Sequence, residues 1–452
     1  MLIGIWGYGK IGKALVDYHL ETSTAKILIM DQNVLDIKEF NRFNDRVFIC
    51  TEDQKEFFFK ESSIIFVSPG IDIKNYYQTF KEKIFPELDL FYSLWEKWII
   101  AITGSNGKTS ITSFLHALLK KHHVVNAIGG NIGTPTIELM KEKNKSACAV
   151  LEVSSFQLEY TKHFAPDFAL ITNLSENHLD RHKTMDAYFH AKYALIAHQQ
   201  SHQKALIPLS LYSLVIQKNP KSQISVFCAY PNQKNYEDLI LISNHRHCFV
   251  MKKDKFLVLS QGRIIKDFDL PEQKQTFDEN ILILLSALFL LGYNTEQTIS
   301  YLKDLKPLEH RLEFVACKQG IYFYNDSKST TMHSTIAAIN QCNNKNIFLI
   351  LGGLSKGVNR KPFFEIIKDK VSFISCFGKE AKELGLFCNI HSISHSTHEQ
   401  LSDAFETIVK EAQKIKNSVI LFSPAGSSYD LFKDYQERGR AFKNLVSCLL
   451  SE

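Results

Sequence analysis

A short glycine-containing segment constrains this chain more than any other feature. Residues 101–109 read Ala-Ile-Thr-Gly-Ser-Asn-Gly-Lys-Thr, between the apolar run Trp98-Ile99-Ile100 and an amphipathic pattern over 110–121. The pattern predicts a strand, a tight turn and a helix N-terminus, whose backbone N–H groups suit a polyphosphate. Lys108, and a metal ion held by the Thr109 hydroxyl, would add positive charge there. The predicted nucleoside-triphosphate site comprises Gly104, Ser105, Asn106, Gly107, Lys108, Thr109 and Ser110.

The turn differs from the common phosphate-binding loop in one position. That pattern, G-x-x-x-x-G-K-[ST], would place glycine at position 102, where this chain has Ile102. The turn here is the shorter segment 103–109. Because a strand precedes it and a helix pattern follows it, we interpret it as a phosphate loop rather than as an ordinary helix start.

Composition and charge narrow the class of protein. A chain of 452 residues with 45% hydrophobic residues is long enough for about three globular domains. The net charge is only +5 and no lysine or arginine run is long, so we expect no nucleic-acid partner. We expect a monomer that acts on small molecules.

Cysteine spacing and apolar runs bear on the cellular compartment. The nine cysteines form no C-x-x-C pair, which favours free thiols over a zinc site or a disulfide framework. The chain starts directly with a strand pattern, and the apolar run 281–291 is too short to span a bilayer. These features predict a cytoplasmic protein without membrane insertion.

Apolar strand patterns alternate with helical patterns along the chain, which predicts an α/β fold with mostly parallel sheets. We divide it into a Rossmann-like domain at 1–93, a central P-loop ATPase-like domain at 94–300 and a C-terminal Rossmann-like domain at 301–452. Residues 201–275 are predicted to be a strand-rich excursion from the central sheet. The predicted strands are 3–7, 27–31, 64–68, 147–153, 168–173, 321–325, 347–351, 373–377 and 419–423, with a buried helix at 280–291.

The N-terminus carries a second phosphate-binding pattern. Residues 7–12 read Gly-Tyr-Gly-Lys-Ile-Gly after a strand, and Asp31 ends the second strand. Alone, this G-x-G-x-x-G pattern would indicate a nicotinamide-dependent dehydrogenase. A UDP-linked substrate satisfies the same physical conditions, because glycines admit any pyrophosphate and an acid can bind any ribose hydroxyl. The phosphate loop at 103–109 favours the second interpretation.

Of three side chains after the phosphate loop, two are candidates for chemistry by their positions in the sequence. Glu152 ends an apolar run, where a strand would deliver its carboxylate to the ligand edge of a sheet and, with Thr109, hold Mg²⁺. His178 lies in a loop of titratable residues after the next strand and is a second candidate ligand. By its spacing alone, Lys192 would be a solvated charge on a helix surface.

Taken together, the motifs resemble those of the Mur ligases. The Ser-Ser-Phe-Gln and Ser-Pro-Ala segments favour the member that adds D-glutamate. The motifs that carry the resemblance are Gly-Tyr-Gly-Lys at 7–10, Ser-Pro-Gly-Ile at 68–71, the phosphate loop, Gly-Asn-Ile-Gly at 130–133, Glu-Val-Ser-Ser-Phe-Gln-Leu-Glu at 152–159, His-Leu-Asp at 178–180, His-Arg-Leu-Glu at 310–313, Asn-Asp-Ser-Lys at 325–328, Leu-Gly-Gly at 351–353, Ser-Pro-Ala at 423–425 and Glu-Arg-Gly at 437–439.

The resemblance implies an ATP-dependent amide ligase of peptidoglycan precursor synthesis. ATP would convert the carboxylate of UDP-MurNAc-L-Ala into an acyl phosphate, which the amine of D-glutamate attacks. Two Mg²⁺ sites are implied, with Thr109 at the triphosphate and with Glu152 and His178 at the substrate carboxylate. Lys192 matches a lysine that family members carbamylate, and the implied catalytic residues are Lys108, His178 and Lys192.

The resemblance also assigns binding residues in all three blocks. Thr276-Phe277 stands where the family usually has His-Asn before Asn280, and Tyr435 stands where phenylalanine is usual. The implied contacts are Gly7, Gly9, Lys10, Ile11, Asp31, Ser68, Gly70 and Asn131 for the UDP-linked substrate, Asn280, Arg311 and Asp326 for ATP, and Lys328, Lys356, Ser428 and Tyr435 for the amino acid.

Three alternatives remain open from the sequence. One is another amide ligase of the same superfamily, such as an L-alanine- or diaminopimelate-adding enzyme or a folylpolyglutamate-type ligase. A second is the dehydrogenase suggested by the N-terminal glycines. The third is a nucleotide-regulated binding protein without catalysis.

Overall fold

The computed structural model describes residues 1–32, 45–271, 278–305, 308–342, 346–355 and 358–451. Lys356 and the pair Thr276-Phe277, which the sequence analysis named, lie outside these residues. The chain forms two compact units, one of Met1–Leu174 with Asp186–Leu305 and one of Ser175–Met185 with Lys306–Glu452. The division into three domains stays a prediction.

The described residues form nineteen strands. They are β1 (Leu2–Trp6), β2 (Lys26–Met30), β3 (Val47–Cys50), β4 (Ile64–Val67), β5 (Trp98–Thr103), β6 (Asn126–Gly130), β7 (Cys148–Glu152), β8 (Phe168–Ile171), β9 (Lys204–Pro208), β10 (Gln223–Ala229), β11 (Cys248–Lys252), β12 (Lys255–Ser260), β13 (Arg263–Asp269), β14 (Glu313–Lys318), β15 (Ile321–Asn325), β16 (Asn346–Gly352), β17 (Phe373–Phe377), β18 (His395–His398) and β19 (Ser418–Phe422).

The same residues form seventeen α-helices, and a 3₁₀ segment covers Thr136–Lys145. The helices are α1 (Lys10–Thr22), α2 (Lys55–Glu61), α3 (Lys74–Phe80), α4 (Glu87–Trp95), α5 (Lys108–Lys121), α6 (Ser155–Leu158), α7 (Leu179–His182), α8 (Met185–Ala197), α9 (Tyr212–Ile216), α10 (Gln233–Ser243), α11 (Asp278–Leu290), α12 (Thr295–Leu302), α13 (Met332–Gln341), α14 (Lys361–Ile367), α15 (Ala381–Ile390), α16 (Leu401–Ala412) and α17 (Tyr435–Ser451).

The first unit begins with a four-stranded parallel sheet in the order β3-β2-β1-β4. This order is one half of a doubly wound sheet, in which ligands bind beyond the carboxyl ends of the strands. Helix α1 packs closely on it, since a Cβ on Gly12 would lie 2.0 Å from the Gly7 carbonyl oxygen. Only glycine permits that approach.

The same unit continues into a nine-stranded sheet in the order β13-β12-β11-β10-β9-β8-β5-β7-β6. The strands from β6 to β11 pair in parallel, and only the hairpin strands β12 and β13 add antiparallel pairs among the described residues. Residues 204–269 therefore extend the central sheet itself rather than leaving it as an excursion. The phosphate-loop strand β5 lies inside the sheet, between β7 and β8.

Helix α4 links the two sheets of the first unit. Its apolar side packs in the core of the nine-stranded sheet, where Leu88, Phe91 and Trp95 are at most 1% exposed. The buried Glu87 carboxylate accepts hydrogen bonds from the Thr136 hydroxyl and from the backbone N–H of Ile137, at 2.8 Å for the latter. Helix α4 thus holds the start of the 3₁₀ segment.

Asp89, on the same helix, holds a second loop by three backbone hydrogen bonds. It is 1% exposed, and its carboxylate accepts the N–H groups of Lys162, His163 and Phe164 at 2.8, 3.1 and 2.8 Å. A carboxylate with several N–H donors satisfies groups that would otherwise be buried without partners. The loop leads directly into β8.

We expect Asp89→Asn to lower the free energy of unfolding by about 2–4 kcal/mol, because the asparagine amide would turn a donor toward the N–H groups of 162–164. The measurement is chemical unfolding followed by circular dichroism. The control is Asp17→Asn on the exposed side of α1, with an expected change below about 0.5 kcal/mol. Equal effects of the two substitutions would contradict the structural role.

The second unit contains a six-stranded sheet in the order β14-β15-β19-β16-β17-β18. Strands β15 to β18 pair in parallel and β14 adds an antiparallel edge. Helices cover both faces, with one core cluster around Phe364 and Leu384 and another around Phe405 and Phe442. The strands end at Asn325, Gly352 and Phe422, so the following loops share one edge of the sheet.

The structure confirms the predicted fold class of mixed α/β with mostly parallel sheets. The strands that the sequence predicted are present, most of them within two residues of the predicted bounds. Among the described residues, no helix has both the length and the apolar character that crossing a bilayer requires.

Candidate active site

The predicted phosphate loop joins β5 to α5 through two glycines with positive φ. Gly104 has φ 150° and Gly107, just before α5, has φ 80°. A Cβ on Gly104 would lie 1.9 Å from the Thr172 hydroxyl oxygen, so no other residue fits there without displacing the neighbouring strand end. Glycine at 104 is a geometric requirement of this turn.

The end of β8 fixes the shape of the loop. The Asn173 carbonyl oxygen accepts the Ser105 N–H at 3.0 Å, and the Asn173 side-chain oxygen accepts the Asn106 N–H at 2.9 Å. The Thr172 hydroxyl donates to the Asn106 carbonyl at 2.6 Å. Sequence reasoning missed the role of Thr172 and Asn173, although both directly follow a strand that neighbours β5.

Two lysine amines meet at the same carbonyl of this loop. The Lys108 amine donates to the carbonyl oxygens of Gly104 and Ser105 at 2.8 and 3.1 Å. The Lys192 amine donates to the Gly104 carbonyl oxygen at 2.8 Å. Two ammonium groups this close would repel each other, so the neutral form of one of them is favoured.

Lys192 is buried, which makes the interpretation of it as a solvated surface charge wrong. It is 1% exposed on α8, and its amine lies 4.5 Å from the centre of the Tyr188 ring. Burial, and next the Lys108 ammonium, lower the pKa of Lys192 well below its ordinary value, while Glu152 raises it. These effects favour the neutral amine.

Tyr188 supports both Lys192 and the loop, and sequence reasoning did not single it out. Its hydroxyl lies 3.3 Å from the Ser105 hydroxyl, and burial raises its pKa to about 12. Because it precedes Lys192 by four residues, it lies on the same side of α8. The sequence of α8 is apolar on most of its sides, which is typical of a buried helix and could have indicated that Tyr188 is buried.

Glu152 ends β7, where it pairs in register with Ile102 of the phosphate-loop strand. It is 2% exposed, and one carboxylate oxygen accepts the Asn131 side-chain N–H at 2.9 Å. The Asn131 backbone N–H donates to the Glu152 carbonyl at 2.8 Å. Asn131 therefore orients the carboxylate, and its predicted contact with a UDP-linked substrate stays a prediction.

Asn280, at the start of α11, lies against the phosphate loop. It is 6% exposed, and its side-chain oxygen would be 3.4 Å from a Cβ on Gly107. Ser110 is buried in the first turn of α5, and Thr109 is half-buried beside it. The structure thus places Asn280 beside the phosphate loop, and its contact with ATP stays a prediction.

The predicted ligand His178 lies in Ser175–Met185, which belongs to the second unit. It has φ 55° and precedes α7, and the N–H groups of Arg181 and His182 in that helix donate to its carbonyl oxygen. Within the first unit, the Glu152 carboxylate and the Thr109 hydroxyl are oxygen ligands of the kind Mg²⁺ prefers. The donor chemistry fits the expected ion.

A different group of metal-ligating side chains, Glu309, His310 and Glu313, converges within 4.8 Å in the second unit. These groups have protein partners. The Lys443 amine lies 2.6 Å from Glu309 and 3.0 Å from Glu313, and the Asn325 amide contacts His310 at 2.9 Å. We interpret the group as an ionic network that anchors α17.

The N-terminal glycine turn is organised by two predicted site residues. The Asp31 carboxylate accepts the Tyr8 N–H at 2.6 Å, and the Ser68 hydroxyl donates to the Gly7 carbonyl at 2.9 Å. The Lys10 amine donates to the Gly133 carbonyl and so joins this turn to the 130–133 segment. The structure brings these residues together, with Ile11 following in α1.

Gly9 and Gly70 flank the same turn, and a Cβ on either would have no heavy atom within 4 Å. Protein packing therefore does not require glycine at these two positions. Close approach of a ligand to the backbone is the remaining physical reason for glycine there.

In the second unit, Asp326 follows β15 and is 4% exposed. Its carboxylate accepts the Ser423 hydroxyl at 2.6 Å and the Leu312 N–H at 3.1 Å. Burial raises the pKa of Asp326 to about 6, which the hydrogen bonds and Arg311 partly oppose. Asp326 and Arg311 are thus electrostatically coupled, as expected for neighbouring site residues.

The raised pKa of Asp326 predicts a specific pH dependence. As pH rises from about 4 to 6, the unfolded chain loses this proton before the folded chain, so the group lowers stability by up to about 3 kcal/mol. Relative to the wild type, Asp326→Asn should therefore gain in melting temperature between pH 4 and pH 7. Asp369→Asn, an exposed control, should show no such gain. A constant difference across this range would contradict the prediction.

Lys328 and Tyr435 form a close pair at the same edge. The Lys328 amine lies 3.6 Å from the centre of the Tyr435 ring, a cation–π contact. The Tyr435 carbonyl accepts the Ser327 hydroxyl at 2.8 Å. Ser428 is 3% exposed, and its carbonyl accepts the Phe432 N–H at 2.9 Å. Lys356 lies outside the described residues.

Arg438 is a residue whose role sequence reasoning missed. It is fully buried on α17, and its guanidinium donates to the Ser327 hydroxyl and carbonyl at 3.1 and 2.7 Å and to the Gly426 carbonyl at 3.0 Å. It thereby ties the loop after β15 to the loop after β19. The Glu-Arg-Gly motif at 437–439 is the feature of the sequence that could have indicated this role.

Comparisons with known proteins identify the family that shares these features. The sequence profile of the Mur ligase middle domain matches residues 102–266. A UDP-N-acetylmuramoylalanine–D-glutamate ligase of Koribacter versatilis is 31% identical over 451 residues, covering 97% of this chain and 96% of that protein. One of Caldicellulosiruptor bescii is 30% identical, covering 90% and 88%.

The chain belongs to the Mur ligase family. This confirms the resemblance that the motifs indicated. Solved Mur ligases share the fold: the UDP-N-acetylmuramate-alanine ligase of Thermotoga maritima aligns with a TM-score of 0.59 at 16% identity, covering 100% of this chain and 99% of that one. MurF of Acinetobacter baumannii aligns at 0.61 with 14% identity, covering 96% and 92%.

Proposed function

We propose that this Mur ligase joins D-glutamate to the alanyl carboxylate of UDP-MurNAc-L-Ala, with ATP converted to ADP and phosphate. The proposal rests on relatives of that name that span nearly the whole chain. MurF of Thermotoga maritima, of the same fold, was solved with ADP. The reaction is a step of peptidoglycan precursor synthesis, and its substrates are small soluble molecules, which suits a cytoplasmic monomer.

The observation that carries the proposal is the meeting of the Lys108 and Lys192 amines at the Gly104 carbonyl. A carboxylate is a poor electrophile, and it must approach the anionic γ-phosphate before it can react. Its oxygen attacks the phosphorus, ADP leaves, and an acyl phosphate forms. The amine of D-glutamate then attacks the acyl carbon, phosphate leaves, and the amine loses a proton. The Lys108 ammonium stabilises the negative charge that these steps bring together at the loop.

The chain offers oxygen ligands for Mg²⁺ beside the loop. We assign the Thr109 hydroxyl to one ion and the Glu152 carboxylate to a second, with His178 as an additional ligand. Bound Mg²⁺ would neutralise phosphate and carboxylate charge. The Asn131 amide keeps the Glu152 carboxylate oriented for this task.

Lys192 is assigned to carry a carbamate. Its buried amine, with its lowered pKa, can attack CO₂ to form a nitrogen–carbon bond and lose one proton. The product is an anion in place of a buried ammonium, and it removes the repulsion from Lys108. An oxygen anion at this point would also support the second Mg²⁺.

The N-terminal turn around Gly7 and Asp31 is assigned to the uridine diphosphate, and the edge around Lys328 to the incoming amino acid. Lysine side chains and the hydroxyls of Ser428 and Tyr435 suit the two carboxylates of D-glutamate. Lys10, Ile11, Gly9, Gly70 and Ser68 complete the assigned uridine diphosphate contacts.

The decisive experiment mixes the purified chain with ATP, Mg²⁺ and UDP-MurNAc-L-Ala and offers D-glutamate, L-glutamate, L-alanine or diaminopimelate. We expect phosphate release and a product of the combined mass, less water, with D-glutamate alone. Turnover with another amino acid and none with D-glutamate would replace this proposal by a different amide ligase.

A second experiment tests the dehydrogenase alternative directly. Titration with NADH and NADPH, followed by nucleotide fluorescence, should show no saturable binding in the micromolar range. Saturable micromolar binding would revive the interpretation of the N-terminal turn as a dinucleotide site.

A further inference from the structure

A cavity of about 600 Å³ lies in the first unit at the carboxyl ends of β9 and β10. Its volume is in the range of pockets that bind small molecules. Two strands separate β10 from the phosphate-loop strand β5 in the same sheet. Ligands of open parallel sheets bind at this edge, so the cavity lies where the fold places ligands but away from the loop assigned to ATP.

The walls of the cavity are about as polar as they are apolar. Phe227, Pro208 and Tyr212 contribute much of the apolar lining. Leu241 also lines the cavity, although it is 66% exposed. An exposed leucine on a concave surface gains from a ligand that removes it from water.

Two carboxylates give the cavity its charge. Asp238 and Glu279 both line it. In the part of the chain that the structure describes, neither has an ion pair with a lysine, arginine or histidine. Asp238 is half-buried and Glu279 is exposed at the start of α11, so both carboxylates are accessible to a ligand from solvent. A cationic ligand would provide the missing counter-charge.

The residues that line the cavity from α10 have helical spacing. Asn235, Asp238 and Ile242 are three and four residues apart, which puts them on one side of the helix. Ser210 and Ser213 also line the cavity and bring hydroxyl groups to it. Carboxylates, hydroxyls and an amide beside aromatic rings are the usual surroundings of an organic ammonium group.

We propose that this cavity binds a small organic ammonium compound, with its apolar part against Tyr212 and Phe227 and its ammonium group at Asp238 and Glu279. Glu279 immediately precedes Asn280, which lies against Gly107 of the phosphate loop. The Tyr230 hydroxyl donates to Asp278 and ties the end of β10 to the same helix start. Binding therefore changes the affinity for ATP, and ATP changes the affinity for the ligand by the same factor.

The test uses three indole compounds of similar size that differ in charge, namely tryptamine, tryptophol and indole-3-acetate. Titrations of the full chain followed by NMR should show saturable binding of tryptamine with a dissociation constant below about 5 mM. Tryptophol should bind at least about fivefold more weakly, and indole-3-acetate should not bind. Equal binding of all three, or no saturable tryptamine binding, would overturn the proposal.

Four substitutions test whether tryptamine binds in this cavity. Asp238→Asn and Glu279→Gln should each weaken tryptamine binding about fivefold to tenfold. Glu237→Gln, one residue along α10 and outside the cavity lining, should leave it unchanged. Ser213→Trp should abolish binding by filling the cavity, with circular dichroism and melting temperature unchanged. Wild-type affinity in all three cavity variants would place tryptamine elsewhere and overturn the assignment.

Coupling to the nucleotide is measured separately, by ATP titration with and without saturating tryptamine. An ATP dissociation constant that changes at least about threefold in the wild type, but not in Ser213→Trp, supports the coupling through Asn280. An unchanged constant would overturn that coupling. If no amino acid of the panel supports turnover, the proposed ligase reaction is contradicted. The outcome of the tryptamine binding test does not depend on that result.

Discussion

Lys192→Ala should lower kcat by at least about 10²-fold, because it removes the buried amine that shares the Gly104 carbonyl with Lys108. If that amine acts as a carbamate, short carboxylates such as formate or acetate should partly restore the rate in the variant. ATP binding, measured by calorimetry, should persist, since the loop hydrogen bonds from Asn173 do not involve Lys192. The rate measurement is phosphate release with all substrates saturating.

The matched control is Lys221→Ala, an exposed lysine of the same unit, which should retain full activity and show no response to carboxylates. A spectroscopic readout separates the carbamate from a structural role. With ¹³C-labelled bicarbonate, the wild type should show a carbamate carbon resonance that Lys192→Ala lacks. Full activity of Lys192→Ala would contradict the catalytic assignment.

Gly104→Ala should weaken ATP binding by at least about 100-fold. The substitution forces an alanine into φ 150° and brings its Cβ to 1.9 Å from the Thr172 hydroxyl oxygen. The loop must then leave β8 and break its hydrogen bonds with Thr172 and Asn173, which costs about 2–4 kcal/mol and disorders the N–H groups meant for phosphate. Calorimetric titration with ATP and Mg²⁺ measures the effect.

Gly70→Ala provides the comparison for this prediction, because its Cβ would meet no heavy atom within 4 Å. It should leave both the ATP affinity and the melting temperature unchanged. An ATP dissociation constant of Gly104→Ala within twofold of the wild type would show that the loop tolerates a side chain there. The geometric argument for the phosphate loop would then fail.

The sequence predicted those parts of the site that depend on local order along the chain. The turn from β5 to α5 and the position of Glu152 at a strand end follow from apolar patterns and glycine spacing, and both are present. Pairing of Ile102 with Glu152 then brings the carboxylate beside the loop. These features need only a strand, a turn and the rule that parallel strands end at one edge.

The parts that sequence reasoning missed depend on contacts between distant segments. Whether Lys192 faces solvent or the core is decided by how α8 packs on the sheet, and no spacing within the helix encodes that. The same holds for Asn173, whose side chain binds a loop 67 residues earlier, and for Arg438, which reaches Ser327 over 111 residues. Long-range hydrogen bonds of this kind become visible only in three dimensions.

Helix α4 also limits the positions at which this enzyme can be joined to a relative in a chimera. A chimera joined at Ser93 would cut α4 two residues before Trp95 and separate Glu87 and Asp89 from loops that lie 49 to 75 residues later. The loops of one parent would then have to place their hydrogen-bond donors correctly for the two acidic residues of the other parent. Recombination between Mur ligases should therefore succeed more often at a junction before Pro86, because α4 and the loops at 136–137 and 162–164 then come from the same parent.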